Sequence, residues 1–285
     1  MFDDLKSWIS ERFKKKGVTI PVVRVSGAIG MAVPLRPGVS LASLAGPLKK
    51  AFTTKKAPAV AILINSPGGS PVQSTLIFKR IRALAEENEK DVLVFVEDVA
   101  ASGGYMIALA GDEIIADPSS IVGSIGVVSH GFGFVGLIDK LGIERRVHTA
   151  GTRKAILDAF SPEREEDVAH LKALQAEIHD SFIDMVKSRR GDILREDEDL
   201  FSGLFWTGTQ ARDFGLIDRL GDLRGVLRER FGEDVRIKLV SGERRFFWSR
   251  GGVGGVIERL GSETPLTDDL VSTLETRALW QRYGL

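Results

Sequence analysis

Two runs of apolar residues constrain the fold of this chain more than any other feature of its sequence. Residues 58–64 (PAVAILI) and 92–96 (VLVFV) are nearly continuous in apolar side chains, and each leads into a glycine-rich turn and a helical pattern. Strands without polar alternation are buried on both faces, which is typical of a parallel sheet covered by helices. The alternation of such strands with helices predicts an α/β fold.

The segments around these two strands continue the same pattern. Ser70 and Pro71 form an N-cap and first-turn pair, and the apolar spacing after them predicts a helix to about Asn88. The pattern also predicts helices at 133–141, 161–190 and 221–231 and strands at 18–29, 113–116, 121–128, 143–149 and 235–240. The strands are thus spread along the chain between helices, as in a single α/β domain.

Segments with the composition of a linker mark the expected domain boundaries. No such segment occurs before about residue 241, so we expect one domain over 18–240. A short N-terminal segment, 1–17, precedes it, and a C-terminal extension, 241–285, follows it after a glycine-rich stretch at 249–255.

Composition narrows the class of protein further. Basic and acidic residues balance at 39 each, which argues against nucleic acid as a partner because phosphate neutralisation needs a basic surface. The chain has no cysteine, so disulfides, thiolate metal sites and cysteine nucleophiles are excluded. Its four histidines lack the spacing of zinc ligands on a helix, so we expect no catalytic metal.

The first 16 residues carry an amphipathic helical pattern. Its apolar face is formed by Phe2, Leu5, Trp8, Ile9 and Phe13, and three lysines close the segment. Such a helix could lie on an anionic membrane surface or pack against protein, and the second is the commoner use of an apolar helix face. The segment has no apolar run typical of a signal peptide or membrane span. We therefore expect a cytoplasmic protein, with peripheral contact at the inner membrane through residues 1–16 as the alternative.

Two glycine-rich turns are the candidate places for chemistry. Residues 66–69 (SPGG) follow the first apolar strand, and residues 101–104 (ASGG) follow the second. Backbone N–H groups at the start of a helix have no partner within it, and they can stabilise an oxyanion. A serine on a sharp strand-to-helix turn has the exposure that a nucleophile needs, which makes Ser102 the candidate nucleophile.

A serine nucleophile needs a base, and the residues themselves leave two choices open. His130 would form the usual Ser–His pair, with Asp98 as a group that could orient it, and Lys154 would form the rarer Ser–Lys pair. A lysine acts as a base only when it is neutral, which burial and a neighbouring cation such as Arg153 favour. Spacing alone favours the ordinary interpretation of Lys154, an exposed lysine on a loop.

Five motifs occur in an order that resembles the signal peptide peptidase A family of serine peptidases. They are NSPGG at 65–69, DVAASGGY at 98–105, GSIGV at 123–127, GTRK at 151–154 and WTGTQARDFGLID at 206–218. The match covers about residues 18–235, and its specificity comes from the conjunction rather than from any single motif. The resemblance implies a spiral of strand–strand–helix units like those of crotonase and Clp protease. It also implies a peptidase that works without a cofactor or a metal.

The resemblance assigns roles to individual residues by their position in these motifs. Ser102 matches the nucleophile, Lys154 the general base and Ser124 the hydroxyl that orients the lysine amine. The backbone N–H groups of Gly69 and Gly103 would form the oxyanion hole. The resemblance further implies short apolar peptide substrates, such as signal-peptide remnants. It implies a tetrameric or octameric ring in which the serine of one protomer is served by the lysine of its neighbour.

Three other functions stay open at the level of sequence. A Clp-like peptidase would use Ser102 with His130 instead of Lys154. A crotonase-type acyl-CoA enzyme would use paired backbone N–H groups on a related spiral. An inactive scaffold would assemble at a membrane through its N-terminal helix.

Members of the resembled family usually carry an N-terminal membrane span or signal peptide, and the first residues of this sequence have the pattern of neither. This difference from the family affects the localisation that we expect.

Overall fold

A computed structural model describes residues 17–30, 38–195, 197, 199–241, 274 and 277–284 of the chain. The amphipathic helix predicted over residues 1–16 lies outside these residues, so both the helix and its contact with a membrane stay predictions. Among the described residues, no helix combines the length and apolarity that crossing a bilayer requires.

The described residues form one sheet with helices on both faces. Its strands are β1 (Thr19–Ser26), β2 (Ala59–Ser66), β3 (Asp91–Ala101), β4 (Glu113–Ala116), β5 (Ile121–Gly123), β6 (Phe205–Thr207), β7 (Arg219–Leu220) and β8 (Arg236–Leu239). The helices are α1 (Leu41–Phe52), α2 (Pro71–Asn88), α3 (Gly103–Ala108), α4 (Val135–Lys140), α5 (Glu165–Arg190), α6 (Gly208–Asp213) and α7 (Leu223–Phe231). The main path of the sheet is β6-β5-β3-β2-β1-β8, and every pair except β5 with β6 is parallel.

Strand β3 divides the sheet. On one side it pairs with β2, and on the other its first half pairs with β4 while its second half pairs with β5. The change of partner falls at Glu97 and Asp98, where the register between β2 and β3 also shifts. This branching of short parallel strands is what a spiral of strand–strand–helix units requires. The α/β class predicted from the two apolar runs is confirmed.

The core lies on both faces of the sheet because the strands bury alternate side chains in opposite directions. On one face, Val23, Val25, Ile62 and Ile64 pack with buried side chains of α1 and α2 such as Phe52 and Ile81. On the other face, the buried set is Ile20, Val22, Leu93, Phe95, Ile115, Val226 and Leu227. Complete burial of one such side chain contributes about 1.5–3 kcal/mol to the stability of the fold. Because the strands bury side chains on both faces, successive positions are apolar, which explains the unbroken apolar runs.

Two strand predictions need correction. The strand predicted over residues 121–128 ends at Gly123, because Ser124 turns the chain with a φ of +54° and donates its backbone N–H to the Leu204 carbonyl. Residues 143–149 form no strand. Ile143 and Val147 are exposed on a loop where, among the described residues, no neighbouring strand offers hydrogen bonds.

A partly buried ion pair fixes the end of α5 to the sheet. Arg190 donates from Nε to the Gly215 carbonyl at 2.9 Å and from Nη1 to Asp218 Oδ2 at 2.9 Å. The same carboxylate oxygen accepts the backbone N–H of Ile114 at 2.7 Å. Arg190 is buried, so its charge depends on Asp218 for compensation.

Asp218→Ala should lower the free energy of unfolding by about 3–5 kcal/mol, because it leaves the buried Arg190 charge and the Ile114 N–H without their acceptor. Asp213→Ala is the matched control, since Asp213 forms an exposed pair with Arg212. The control should cost no more than about 1 kcal/mol. Urea unfolding of both variants measures the difference, and equal losses would show that the buried pair has no special role.

Candidate active site

Ser102 occupies a strained turn between β3 and α3. Its φ of 51° and ψ of −123° lie in a region that residues other than glycine rarely adopt. The backbone fixes this conformation, because Ser102 N donates to the Gly123 carbonyl at 2.8 Å and Met106 N donates to the Ser102 carbonyl at 3.0 Å. The Ser102 side chain makes no capping hydrogen bond to α3. Its half-buried hydroxyl is therefore available to a bound molecule.

The turn that follows β2 packs directly against Ser102. A Cβ atom at Gly68 would lie 2.8 Å from Ser102 Cβ and 3.0 Å from the Ala101 carbonyl oxygen, and the first of these distances is closer than real Cβ atoms approach. Ser66 closes this turn, since its Oγ donates to the Gly27 carbonyl at 2.7 Å and accepts from Gly68 N at 3.2 Å. The glycine is required here by both the contact and its φ of +105°.

Gly69 is held by the chain that leaves β1. Ile29 N donates to the Gly68 carbonyl, and Ser70 N donates to the Ile29 carbonyl, both at 2.8 Å. A Cβ atom at Gly69 would lie 2.1 Å from the Ile29 carbonyl oxygen. The backbone of this turn is thus clamped between Ile29 and Ser102.

The clamped turn brings two unpaired backbone donors together. In the part of the chain that the structure describes, the N–H groups of Gly69 and Gly103 have no hydrogen-bond acceptor. A Cβ atom at Gly103 would lie 3.4 Å from Gly69 N, so the two backbone segments lie close together next to Ser102. Two unpaired backbone donors near a hydroxyl are groups that can stabilise an oxyanion in acyl transfer.

Ser124 lies in the same cluster. Ala101 and Gly123 are paired in neighbouring parallel strands, so Ser102 and Ser124 follow them side by side at the same edge of the sheet. Ser124 is 3% exposed. Of the five residues predicted for the site, the structure therefore brings Ser102, Ser124, Gly69 and Gly103 together.

Lys154 lies apart from this cluster in its own chain. It is exposed, and its backbone N–H donates to the Gly151 carbonyl at 3.3 Å. Arg153 ties this loop to the first turn of α5, where it pairs with Glu166 at 3.1 Å. Among the described contacts, Lys154 has no hydrogen bond to Ser102 or Ser124. Its predicted role stays a prediction.

The alternative base His130 is not joined to Ser102 either. His130 is exposed and makes no hydrogen bond to Ser102 within the described residues. Asp98, which could have oriented a histidine, accepts a hydrogen bond from Asn65 Nδ2 at 2.6 Å. This bond instead links the residues that precede the two glycine-rich turns.

Two side chains near the site were not predicted from sequence. The Nε2 atom of His179, in α5, lies 3.0 Å from the Ile125 carbonyl oxygen, so this side chain contacts the segment that follows Ser124. Tyr283 has its hydroxyl at 3.3 Å from Ser124 Oγ. Tyr283 belongs to the C-terminal extension, and nothing in the sequence shows where that extension packs.

Comparisons with known proteins bear on this site. A family profile described as Peptidase family S49 matches residues 85–233, just over half of the chain, and includes Ser102, Ser124 and Lys154. A relative in Arabidopsis thaliana, "Serine protease SPPA, chloroplastic", is 32% identical over 72% of this chain and 31% of its own length.

Two further matches concern a longer protein and a solved structure. A protein of Brucella abortus (strain 2308) named "Na(+)/H(+) antiporter NhaA" is 59% identical over 99% of this chain. The chain spans only 39% of that relative, whose name describes the whole protein. A solved structure of a mutant of the "1510-N membrane-bound stomatin-specific protease" covers 80% of this chain and 99% of its own, at 17% identity and with a TM-score of 0.49.

Gly68→Ala should lower the rate of labelling by a serine-reactive fluorophosphonate at least about tenfold, because the new Cβ displaces Ser102. Gly232→Ala is the matched control, since Gly232 also has a positive φ, of +90°, and no atom lies within 4 Å of its Cβ position. Both variants should lose about 1–3 kcal/mol of stability to backbone strain. Labelling that falls equally in both would mean that strain alone, and not the contact with Ser102, accounts for the effect.

Proposed function

This chain belongs to peptidase family S49, and from that membership we propose that it is a serine endopeptidase with Ser102 as nucleophile and Lys154 as general base. The observation that carries the proposal is the meeting of the strained Ser102 turn with the unpaired N–H groups of Gly69 and Gly103. An available hydroxyl beside two fixed donors meets the geometric demands of acyl transfer.

The proposed reaction begins when Ser102 Oγ attacks the carbonyl carbon of the scissile peptide bond. Lys154 Nζ, as the neutral amine, takes the hydroxyl proton, and the carbonyl oxygen becomes an oxyanion held by the Gly69 and Gly103 N–H groups. Loss of one such donor typically lowers the rate by about 10²–10³. Collapse expels the amine product, which receives the proton from the lysine. Water, activated by the same amine, then hydrolyses the acyl ester on Ser102.

The position of Lys154 supports a base that comes from a neighbouring subunit. Its side chain is exposed in its own chain and has no hydrogen bond to Ser102 or Ser124 among the described contacts. Packing of the loop against a second copy would bring the amine to the cluster around Ser102. Ser124 Oγ would then orient the amine by accepting a hydrogen bond from one of its N–H groups.

The surface around Lys154 supports the same arrangement. The segment between β5 and α5 exposes several large apolar side chains, namely Val128, Phe132, Leu137, Leu141, Ile143 and Val147. The Phe132 side chain is 80% exposed, and none of the residues of α4 is buried. Contiguous apolar surface of this kind marks protein interfaces. We therefore propose that copies of this chain pack through the segment that carries Lys154, in the tetrameric or octameric ring that the sequence motifs imply.

The surface beside Gly69 bears on the substrate. Val72 and Leu76 lie at the start of α2, directly after the turn with the candidate oxyanion donor, and both are exposed. An extended peptide placed across this turn would meet an apolar surface on one side of its scissile bond. This favours short apolar peptides, such as signal-peptide remnants, as substrates.

Ser102→Ala and Lys154→Ala should each lower peptide hydrolysis by at least about 10³, because loss of either member of a catalytic unit removes most of its effect. His130→Ala should keep its activity within about twofold, because the proposed base is Lys154 and His130 belongs to none of the five motifs. Steady-state cleavage of an apolar fluorogenic peptide, with circular dichroism to verify folding, measures all three. Loss of activity in His130→Ala together with an active Lys154→Ala would identify histidine as the base.

A mixture of Ser102→Ala and Lys154→Ala subunits should recover activity if the base comes from a neighbour. Random exchange at equal amounts would place an intact serine beside an intact neighbouring lysine at about a quarter of the sites in a closed ring. Differently tagged subunits, co-purified after exchange, verify that mixed rings form, and each mutant alone is the control. No activity in verified mixed rings would place both residues of every site in one chain.

A further inference from the structure

The last residues of the chain pack beside the candidate active site. Trp280 and Tyr283, from the helical segment 277–284, contact a small apolar cluster formed by Val99, Ala101 and Ile121 of β3 and β5. The Tyr283 ring meets the Phe205 ring edge-on, with centroids 5.0 Å apart. Tyr283 is 9% exposed although it lies close to the end of the sequence.

The hydroxyl of this buried tyrosine reaches two parts of the candidate site. It lies 3.3 Å from Ser124 Oγ, to which it donates its single proton, and 3.5 Å from the Pro67 carbonyl oxygen. Pro67 belongs to the turn that carries Gly69, and Ser124 is the residue assigned to orient the lysine amine. The Tyr283 hydroxyl thus lies between these two turns and bonds to the one with the orienting serine.

We propose that Tyr283 is a positioning residue that fixes the hydroxyl of Ser124 for the lysine base. The inference rests on the proposed function and adds to it a residue outside the five sequence motifs. It makes the C-terminal helical segment a working part of the catalytic centre. The rest of residues 242–273, which connect this segment to the domain, plays no part in the inference.

The hydrogen-bonding capacity of a serine hydroxyl explains how Tyr283 acts. Ser124 Oγ has two lone pairs and one proton, and an unrestrained hydroxyl can sample the three staggered rotamers. The bond from Tyr283 occupies one lone pair and holds the oxygen in place. The second lone pair then faces a constant direction, where it can accept an N–H from a neutral amine. An amine held in this way directs its own lone pair at Ser102.

The surroundings of Tyr283 favour this role over blockage of the site. Its ring packs among Val99, Ala101 and Phe205, within the body of the domain. Among the described residues, its hydroxyl has no hydrogen bond to Ser102, Gly69 or Gly103. Tyr283 therefore bonds to Ser124 and not to the nucleophile or to the oxyanion donors.

Tyr283→Phe tests this role, because it removes the hydroxyl and keeps the packed ring. The kcat for an apolar peptide should fall about fivefold with KM within about twofold of wild type, since one hydrogen bond that orients the base is lost. Trp280→Phe is the control on the same helical segment, and it should leave kcat within about twofold because no bond to Ser124 changes. An unchanged or raised kcat in Tyr283→Phe would overturn the proposal, and a raised one would identify Tyr283 as an inhibitory contact.

A double-mutant cycle with Ser124→Ala separates positioning from general destabilisation. If Tyr283 acts through Ser124, Tyr283→Phe should cause no further loss of kcat in the Ser124→Ala background. The same fivefold loss in both backgrounds would show that Tyr283 acts by another route and would overturn the proposal.

A crystal structure of each full-length protein gives a readout that does not depend on activity. The wild type should show one Ser124 rotamer with Oγ next to the Tyr283 hydroxyl, and Tyr283→Phe should show more than one rotamer. A single, unchanged rotamer in both would overturn the positioning role. Wild-type protein that neither cleaves peptide nor reacts with fluorophosphonate would instead overturn the proposed function.

Discussion

The contact between the turn after β2 and the turn after β3 leaves no space for a side chain, and the rest of the candidate site depends on it. Gly68 must be glycine because Ser102 lies against it, and Ser102 holds its strained backbone because Gly123 and Met106 bond to it. The same contact places Gly69 N beside Gly103. The strain is borne by strands buried on both faces, whose packing leaves the turns little freedom to relax.

The sequence predicted most of the sheet from its apolar runs, and the family resemblance grouped the residues of the candidate site, four of which the structure places together. The run at 92–96 could only be a buried strand, and Ser102 and Ser124 meet because Ala101 pairs with Gly123. The failures have a common physical cause. Residues 143–149 include β-branched side chains typical of strands (Ile143, Val147 and Thr149), but their loop has no partner strand among the described residues, and local sequence cannot show that. Tyr283 reaches the site through packing far along the sequence, which no local pattern encodes.

In the single chain, the candidate nucleophile and oxyanion donors are held in place, and the candidate base is not. Ser102, both backbone donors and Ser124 are held by hydrogen bonds and close packing, whereas Lys154 lies on an exposed loop flanked by apolar side chains. In a shared site, assembly would switch on the chemistry, since an isolated subunit would hold a hydroxyl without a base. Tyr283 on the C-terminal segment would hold Ser124 ready for the incoming amine.

The most direct test of the central claim is to locate the reactive serine. Full-length protein is treated with a fluorophosphonate, digested, and mapped by mass spectrometry for the modified residue. The strained turn and the two unpaired N–H groups predict one adduct, on Ser102, that is absent from Ser102→Ala. Modification of another serine near the turns, such as Ser70 or Ser74, with Ser102 left intact would contradict the claim that this geometry creates the nucleophile.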